Sequence, residues 1–308
     1  MLDKSQAAKL SLRPVVFGEV LYDCFPDGRS VLGGAPFNVA WHLHGFGLNP
    51  LFVSRVGRDD LGKDILEAMQ QWGMDSSGVQ QDSLRPTGAV NVVFDDNNQP
   101  SYDIAEDQAY DYIRPGEIYG SIAGQEFGLL YHGTLGLRKP EAMATLSIFI
   151  EQMNMPSFVD LNLRAPWWNT DLVHQVMAGA AWIKLNEIEL EDIDIESADQ
   201  ANSREQALFK EYSPELVILT KGEEGAGIVS ADEQVSAPIS DVVTGDDGDP
   251  VGAGDSFSSV CIVGIIKGWS PATILERAQE FAAAICGIKG ATTNDKQLYQ
   301  AFCDKWEI

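Results

Sequence analysis

Asp249-Pro-Val-Gly-Ala-Gly-Asp255-Ser-Phe257 joins a turn of small residues to the apolar run Val260, Ile262, Val263, Ile265 and Ile266, which has helical length. Gly252, Ala253 and Gly254 therefore fall at a helix N-terminus. The first N–H groups of a helix lack intrahelical partners, and the dipole adds about half a positive charge there. Such amides suit a phosphate, and side chains no larger than methyl leave room for it to approach. A carboxylate beside a bound phosphate repels it, so Asp255 reads as a group that takes a proton rather than one that adds affinity. The same residues would also serve a plain helix cap after a glycine turn. The segment by itself does not choose between the two.

Other polar groups recur where an apolar run ends. Gly18-Glu-Val-Leu-Tyr-Asp23 closes on a carboxylate, and Gly33-Gly34-Ala-Pro-Phe-Asn38 opens a helix. A diglycine lets a ligand lie against the backbone, while Asp23 and Asn38 supply an acceptor and a mixed donor-acceptor, a set that fits a polyol better than a phosphate. In Asp160-Leu-Asn-Leu-Arg164 the guanidinium would clamp a carboxylate or phosphate, or else pair with Asp160 at the surface. Asn186-Glu-Ile-Glu189 puts an amide and a carboxylate on one face of a starting helix, where oxygen ligands would hold the water shell of Mg²⁺; acids at a helix start serve the dipole equally well. Thr220-Lys-Gly222-Glu-Glu-Gly225-Ala-Gly227 offers either a backbone wall for a nucleotide or the glycines of a hairpin turn. Gly57-Arg-Asp-Asp-Leu-Gly62-Lys63-Asp64 keeps Walker A spacing up to its last position. There Asp64 replaces the Mg²⁺-binding hydroxyl, and Asp59 and Asp60 would turn negative charge into the cradle, so it reads as a loop and helix start.

These groups need a frame, and the hydrophobic pattern supplies one. Val15–Val20, Leu51–Val56, Leu129–Tyr131, Ser157–Asp160, Trp182–Leu185 and Leu216–Thr220 read as buried strands. Between them lie helical runs at Pro36–Phe46, Leu61–Trp72, Pro140–Met153, Asp171–Ala178 and Ser203–Tyr212, followed by two long helices from Ala253 and Pro271. Alternation of this kind implies an α/β fold with a mostly parallel sheet, and ligands bound at the carboxyl ends of its strands. Leu21–Leu32 and Thr87–Ile104 break the rhythm as extended, partly polar segments, the second with the turn-rich Asp95–Pro100 between its arms. They are expected to form a small separate sheet that overhangs the binding edge as a lid, or a simple extension of the main sheet. No linker divides residues 1–308, so a single domain is expected.

With 46 acidic against 21 basic residues the formal net charge is −25, which disfavours nucleic acid and anionic membranes as partners. No apolar run approaches the ~20 residues of a membrane span and no secretory pattern opens the chain, so a cytoplasmic protein is expected. Cys24, Cys261, Cys286 and Cys303 lack CxxC spacing, and His42, His44, His132 and His174 form no ligand cluster; His42 and His44 read as packing residues.

The order of the pieces is more specific than any one of them: a Gly…Asp strand end, GGAPFN, DLNLR, NEIE, TKGEEG and DPVGAGDSF. From about Val15 to Thr292 the chain resembles the ribokinase-like sugar kinases of the PfkB family, and GGAPFNVA with DLNLR resembles its fructokinase-like members. The resemblance implies a ribokinase-like three-layer α/β/α sandwich with a β-sheet lid, and transfer of phosphate from ATP to a sugar hydroxyl. It implies Asp255 as the base, Gly252, Ala253 and Gly254 as the anion hole, and Asp23, Gly33, Gly34 and Asn38, with Arg164, on the sugar. Asn186 and Glu189 match the element that influences Mg²⁺ and phosphate. Thr220, Gly222 and Gly225 match the nucleotide wall, and Gln279 stands at a helix position near adenine, often Asn in the family. Asp249 and Gly290 lie where members bind a monovalent cation such as K⁺, although Pro250 replaces the usual Thr. Fructose is the implied substrate; 2-keto-3-deoxygluconate, ribose, a nucleoside, or a silent sugar sensor are the competing readings. A homodimer formed through the lid is the expected assembly.

Overall fold

The structure, a computed structural model, describes residues 8–94, 100–118, 122, 124–195, 203–238 and 251–308. The expected turn at 95–99 and the pair Asp249 and Pro250 lie outside the described residues. Strands β1 (Val15–Phe17), β4 (Leu51–Gly57), β5 (Val79–Asp82), β8 (Leu130–His132), β9 (Ser157–Asp160), β10 (Trp182–Asn186) and β11 (Leu216–Thr220) join β12 (Ala226–Val229) and β13 (Gln234–Ala237) in one sheet. Their order is β13-β12-β11-β10-β9-β8-β1-β4-β5. Pairings from β11 through β1 to β5 are parallel, and only β12 and β13 run antiparallel. Successive side chains of a strand point to opposite faces, which sorts the core into two layers. Val15, Phe17, Leu51, Val53 and Val159 face α3 (Pro140–Met153), α4 (Thr170–Met177) and α6 (Arg204–Tyr212). Val16, Phe52, Phe158 and Trp182 face α1 (Ala35–Gly45), α2 (Asp60–Trp72), α7 (Ala253–Lys267), α8 (Pro271–Cys286) and α9 (Lys296–Trp306).

From β1 the chain turns one way to β4 and the other to β8, so β1 is the switch point of the sheet. Crevices in open α/β sheets form beyond the carboxyl end of that strand. β1 ends at Phe17 rather than Val20, because Gly18 adopts φ 147 and turns the chain out of the sheet. Leu21–Leu32, read as one extended segment, is a hairpin of β2 (Leu21–Cys24) and β3 (Ser30–Gly33). With β6 (Gly88–Phe94) and β7 (Pro100–Ile104) it makes a second sheet in the order β3-β2-β6-β7. β2 pairs with β6 in parallel, and this joins two segments distant in sequence. Val93 and Tyr102 of this sheet are exposed.

The expected helices are present with ends shifted by a residue or so. β5, β12 and β13 were not anticipated, each being only four residues long. Helix α9 was not anticipated either, although Tyr299, Phe302 and Trp306 recur at helical spacing and are buried. Gly222–Glu224 form a turn between the antiparallel β11 and β12, which answers to the hairpin reading of those glycines. The Walker-like stretch starts α2: Asp59 is the N-cap and accepts from Gly62 N–H at 2.9 Å, and Thr87 donates to the same carboxylate. His42 is buried between Tyr299 and the carbonyl of Ala291, and burial holds its pKa down to about 4, so it is a neutral packing group. No described helix is long and apolar enough to cross a membrane.

Candidate active site

A cavity of about 750 Å³ opens at the carboxyl ends of β1, β9, β10 and β11, between the main sheet and the second one. Asp23, Gly33, Gly34, Asn38 and Arg164 line it together with Gly252, Gly254 and Asp255. Asn186, Glu189, Thr220 and Gly290 line it as well. The fold thus gathers residues spread from Asp23 to Gly290 around one space. Gly222, Gly225 and Gln279 do not line it; Gln279 is buried in α8 and donates to the carbonyl of Ala237 at 2.9 Å.

Helix α7 begins at Ala253 with Gly252 as N-cap, and its first bond runs from Ser256 N–H to the Gly252 carbonyl. The preceding amides of Ala253, Gly254 and Asp255 have no carbonyl within the helix to reach. Gly252 has φ 84, and a methyl there would come within 2.5 Å of Ala291. Only glycine combines that backbone with that approach. Ala291 also receives the hydrogen bond from His42 of α1, so one short stretch of backbone touches both α7 and α1.

Asp255 accepts from Nδ2 of Asn38 at 2.7 Å, which ties the first turn of α7 to that of α1. Burial pushes the Asp255 pKa up to about 6; the Asn38 bond holds it down, and the charge of Asp160 adds to the rise. A carboxylate poised there takes a proton more readily than an ordinary aspartate yet is still ionised at neutral pH. Asn38 Oδ1 is buried without a partner, so an acceptor remains for a ligand. Burial likewise raises Asp23, offset by the charge of Arg164.

Asp160 and Lys184 were not recognised as a buried pair from the sequence. They lie opposite each other in the register of β9 and β10, and Lys184 Nζ binds both Asp160 oxygens at 3.0 and 2.9 Å. Ser258 of α7 donates to Asp160 at 2.7 Å, and Tyr131 of β8 at 3.4 Å. Both residues of the pair are under a tenth exposed and line the cavity. Burial alone would lower the Lys184 pKa, but Asp160, Glu189 and Asp255 together raise it and keep the ammonium charged. A side chain at Gly254 would lie 3.7 Å from this nitrogen, which places a fixed cation beside the α7 amides. The signal was present as a lysine inside the apolar strand Trp-Ile-Lys-Leu, since a buried charge needs a partner. Of the two readings of Arg164, the surface pair with Asp160 is not formed, since Asp160 is buried and bound to Lys184. Glu19, also passed over as a site residue, is buried at the end of β1 and lines the cavity.

Asn186 caps α5 (Glu187–Asp192) in a reciprocal box with Glu189. The two Glu189 oxygens accept from the N–H groups of Leu163 and Asn186 at 2.7 and 2.9 Å. Each oxygen of that carboxylate thus holds one backbone N–H. Among the described residues no group of three or more His, Cys, Asp and Glu side chains has the arrangement of a metal site.

A model of the pfkB family carbohydrate kinases matches residues 15–298. The chain is 27% identical over 292 residues to a fructokinase of Klebsiella pneumoniae, covering 90% of this chain and 92% of that one. It is 24% identical to a 5-dehydro-2-deoxygluconokinase of Geobacillus thermodenitrificans, over 83% of this chain and 77% of that one. The crystal structure of a fructokinase with bound ATP from Xylella fastidiosa superposes with a TM-score of 0.81 at 17% identity, covering 97% and 100% of the two chains.

Proposed function

The chain belongs to the pfkB family of carbohydrate kinases, and from that premise we propose that it transfers the γ-phosphate of Mg²⁺-bound ATP to a primary hydroxyl of a sugar, fructose first, with Asp255 as the base. The observation that carries this reading is the meeting of Asp255, Gly252 and Gly254 of the α7 N-terminus, and Asn38 in a single cavity, which Ala253 itself does not line. Proton acceptor, anion site and polyol contact are then within one substrate length of each other.

The acceptor sugar lies against Gly33 and Gly34, with hydroxyls on Asp23 and Asn38. Asp255 takes the proton of the attacking hydroxyl as its oxygen bonds to the γ-phosphorus; the bond from that phosphorus to the β-phosphate oxygen breaks, and ADP leaves with the electron pair. Charge on the transferred group is met by the α7 amides, by the Lys184 ammonium held in place by Asp160, and by Arg164. The nucleotide spans Thr220 and Asn186, which are opposite each other at the ends of β11 and β10. Mg²⁺ bound with the nucleotide would offset phosphate charge, and Asn186 and Glu189 are the residues that would influence it. A monovalent cation such as K⁺ would sit near Gly290, whose φ of 86 turns the backbone at the cavity rim. The second sheet acts as the lid that keeps water from the phosphate. Its exposed Val93 and Tyr102 support pairing of two copies through it.

ADP release measured against D-fructose, D-ribose, nucleosides and 2-keto-3-deoxygluconate, with and without K⁺, tests the proposal. Turnover with D-fructose above the other sugars is expected. Turnover confined to another sugar would replace fructose as the substrate, and ATP consumption with none of them would overturn the kinase reading in favour of a sugar sensor.

A further inference from the structure

The mechanism above leaves one buried carboxylate at the closed end of the cavity without a role. Glu19 leaves β1 at the switch point of the main sheet, is 2% exposed, and lines the cavity with Leu21 and Leu135. Its backbone is held tightly. Gly34 adopts φ 104, and a side chain there would come within 2.8 Å of the Glu19 carbonyl, so the diglycine of the sugar-binding turn packs on this residue. Gly136 N–H donates to Glu19 Oε2 at 3.1 Å. The residue's own backbone N–H acts on the carboxylate too, and with about four lone-pair sites the two bonds leave accepting capacity free. The ionisable groups that act on it or feel it are Asp255, Arg164, Tyr110, Tyr131 and Arg138. Arg138 is bound to Asp111, and burial keeps both tyrosines neutral at ordinary pH. Of the cations in that set only Arg164 lines the cavity.

The closed end is therefore rich in acceptors. Glu19, Asp23 and Asp255 bring three carboxylates, and Asn38 adds a buried amide oxygen that has no partner. The complement of such a surface is a neutral molecule with several hydroxyl donors. A second anion would add like charge where little water screens it. Resting on the kinase reading above, we propose that Glu19 is a further substrate-contacting residue, accepting a hydroxyl of a neutral sugar at the closed end of the cavity and discriminating against sugars that carry a carboxylate there. A hydroxyl donated to Glu19 offsets part of the cost of burying it, a cost visible in the rise of its pKa to about 7.

The test compares kcat/KM for D-fructose and D-ribose, as neutral probes, with that for 2-keto-3-deoxygluconate, in the wild type and in Glu19→Gln. The substitution keeps shape and removes charge. The better neutral sugar is expected to lose about 10- to 100-fold in kcat/KM, mainly through KM, the range for a hydrogen bond to a charged group. The acid sugar is expected to hold or gain, so the neutral-to-acid ratio narrows at least tenfold. Equal losses for both classes would mark Glu19 as purely structural, and a ratio within twofold of wild type would likewise overturn the proposal. Should Glu19→Gln fail to fold, the wild-type ratio decides: preference for the acid sugar overturns the inference while leaving the kinase reading intact. Absence of turnover with every sugar overturns both.

Discussion

Two cavities of nearly equal size, about 770 and 750 Å³, are found among the described residues, and only one has the makings of an active site. The first is a groove beside β5 and α2, and its wall contains the Walker-like Gly57, Gly62 and Lys63. Its polar groups come from neighbouring stretches of chain and are spent on the fold: Asp59 caps α2 and holds Thr87, while the exposed Lys63 pairs with Glu67 one turn along the helix. The second cavity draws polar side chains from strands, helices and loops between Glu19 and Gly290. There the buried groups hold one another across long sequence distances, as Asn38 holds Asp255 and Lys184 holds Asp160. Spacing in sequence and volume in space are shared by both. Convergence of buried, mutually restrained charges belongs to the second alone, and it is the feature associated with function.

That contrast is broken most directly at Asp255. Asp255→Asn is expected to lower kcat by about 10³-fold or more while ATP affinity, read by calorimetry, stays within a few-fold of wild type. Retention of a tenth of the activity would sink the base assignment. Lys184→Met is expected to cost about 10²-fold in kcat, as for loss of one preorganised charge partner. It also leaves Asp160 buried with Ser258 and Tyr131 only, so denaturant melts should show a loss of about 3 kcal/mol or more. A loss of stability with unchanged kcat would move Lys184 from chemistry to scaffold.

A smaller effect is expected from pH. The base must be ionised, so kcat/KM should rise with pH through about 6 and fall roughly tenfold per unit below it. Asp255 raises Glu19, whereas the groups that act on Asp255 are Asn38, Asp160, Lys184 and Arg164, so the acid limb should keep its position in Glu19→Gln. The stability sign is the reverse. A carboxyl whose folded pKa is raised from 4.5 to about 7 stabilises the fold while protonated, and that contribution is lost as pH rises through about 7. Glu19→Gln should therefore melt higher than wild type at pH 8, with the gain gone near pH 4. The smallest effect falls in the other groove: Lys63→Ala should leave kcat and KM within twofold, and a tenfold change in either would show that the Walker-like stretch takes part after all.

Much of the candidate site was legible because glycine and asparagine leave conspicuous marks beside apolar runs. Gly33, Gly34 and Asn38, and Gly252, Gly254 and Asp255, could each be placed at a helix start, and parallel strands bring helix starts to one edge. Asp160 and Lys184 were hidden for the opposite reason. Each sits in a buried, mostly apolar strand, and their pairing exists only once β9 and β10 are in register. Glu19 was masked by its neighbours, since nothing local reveals that Gly136 and Asp255 will stand near it. The glycines of Gly222 and Gly225 illustrate a different limit: a turn and a ligand wall make the same demand on the backbone, so composition cannot separate them. Helix α9 had a readable periodicity but no motif to draw attention to it.

Ala291 never needs to touch a ligand side chain for its position to matter. It is pressed against Gly252 on one side and bonded to His42 on the other, while Thr293, two residues on, accepts from Trp41 and Tyr299. The N-terminal turn of α7 that carries Asp255 is thus braced by a short backbone strut anchored in the aromatic packing of α1 and α9. The consequence is practical: changes confined to cavity-facing side chains would leave that brace as it is, and substitutions at Tyr299 or Trp41 are expected to shift the turn from outside.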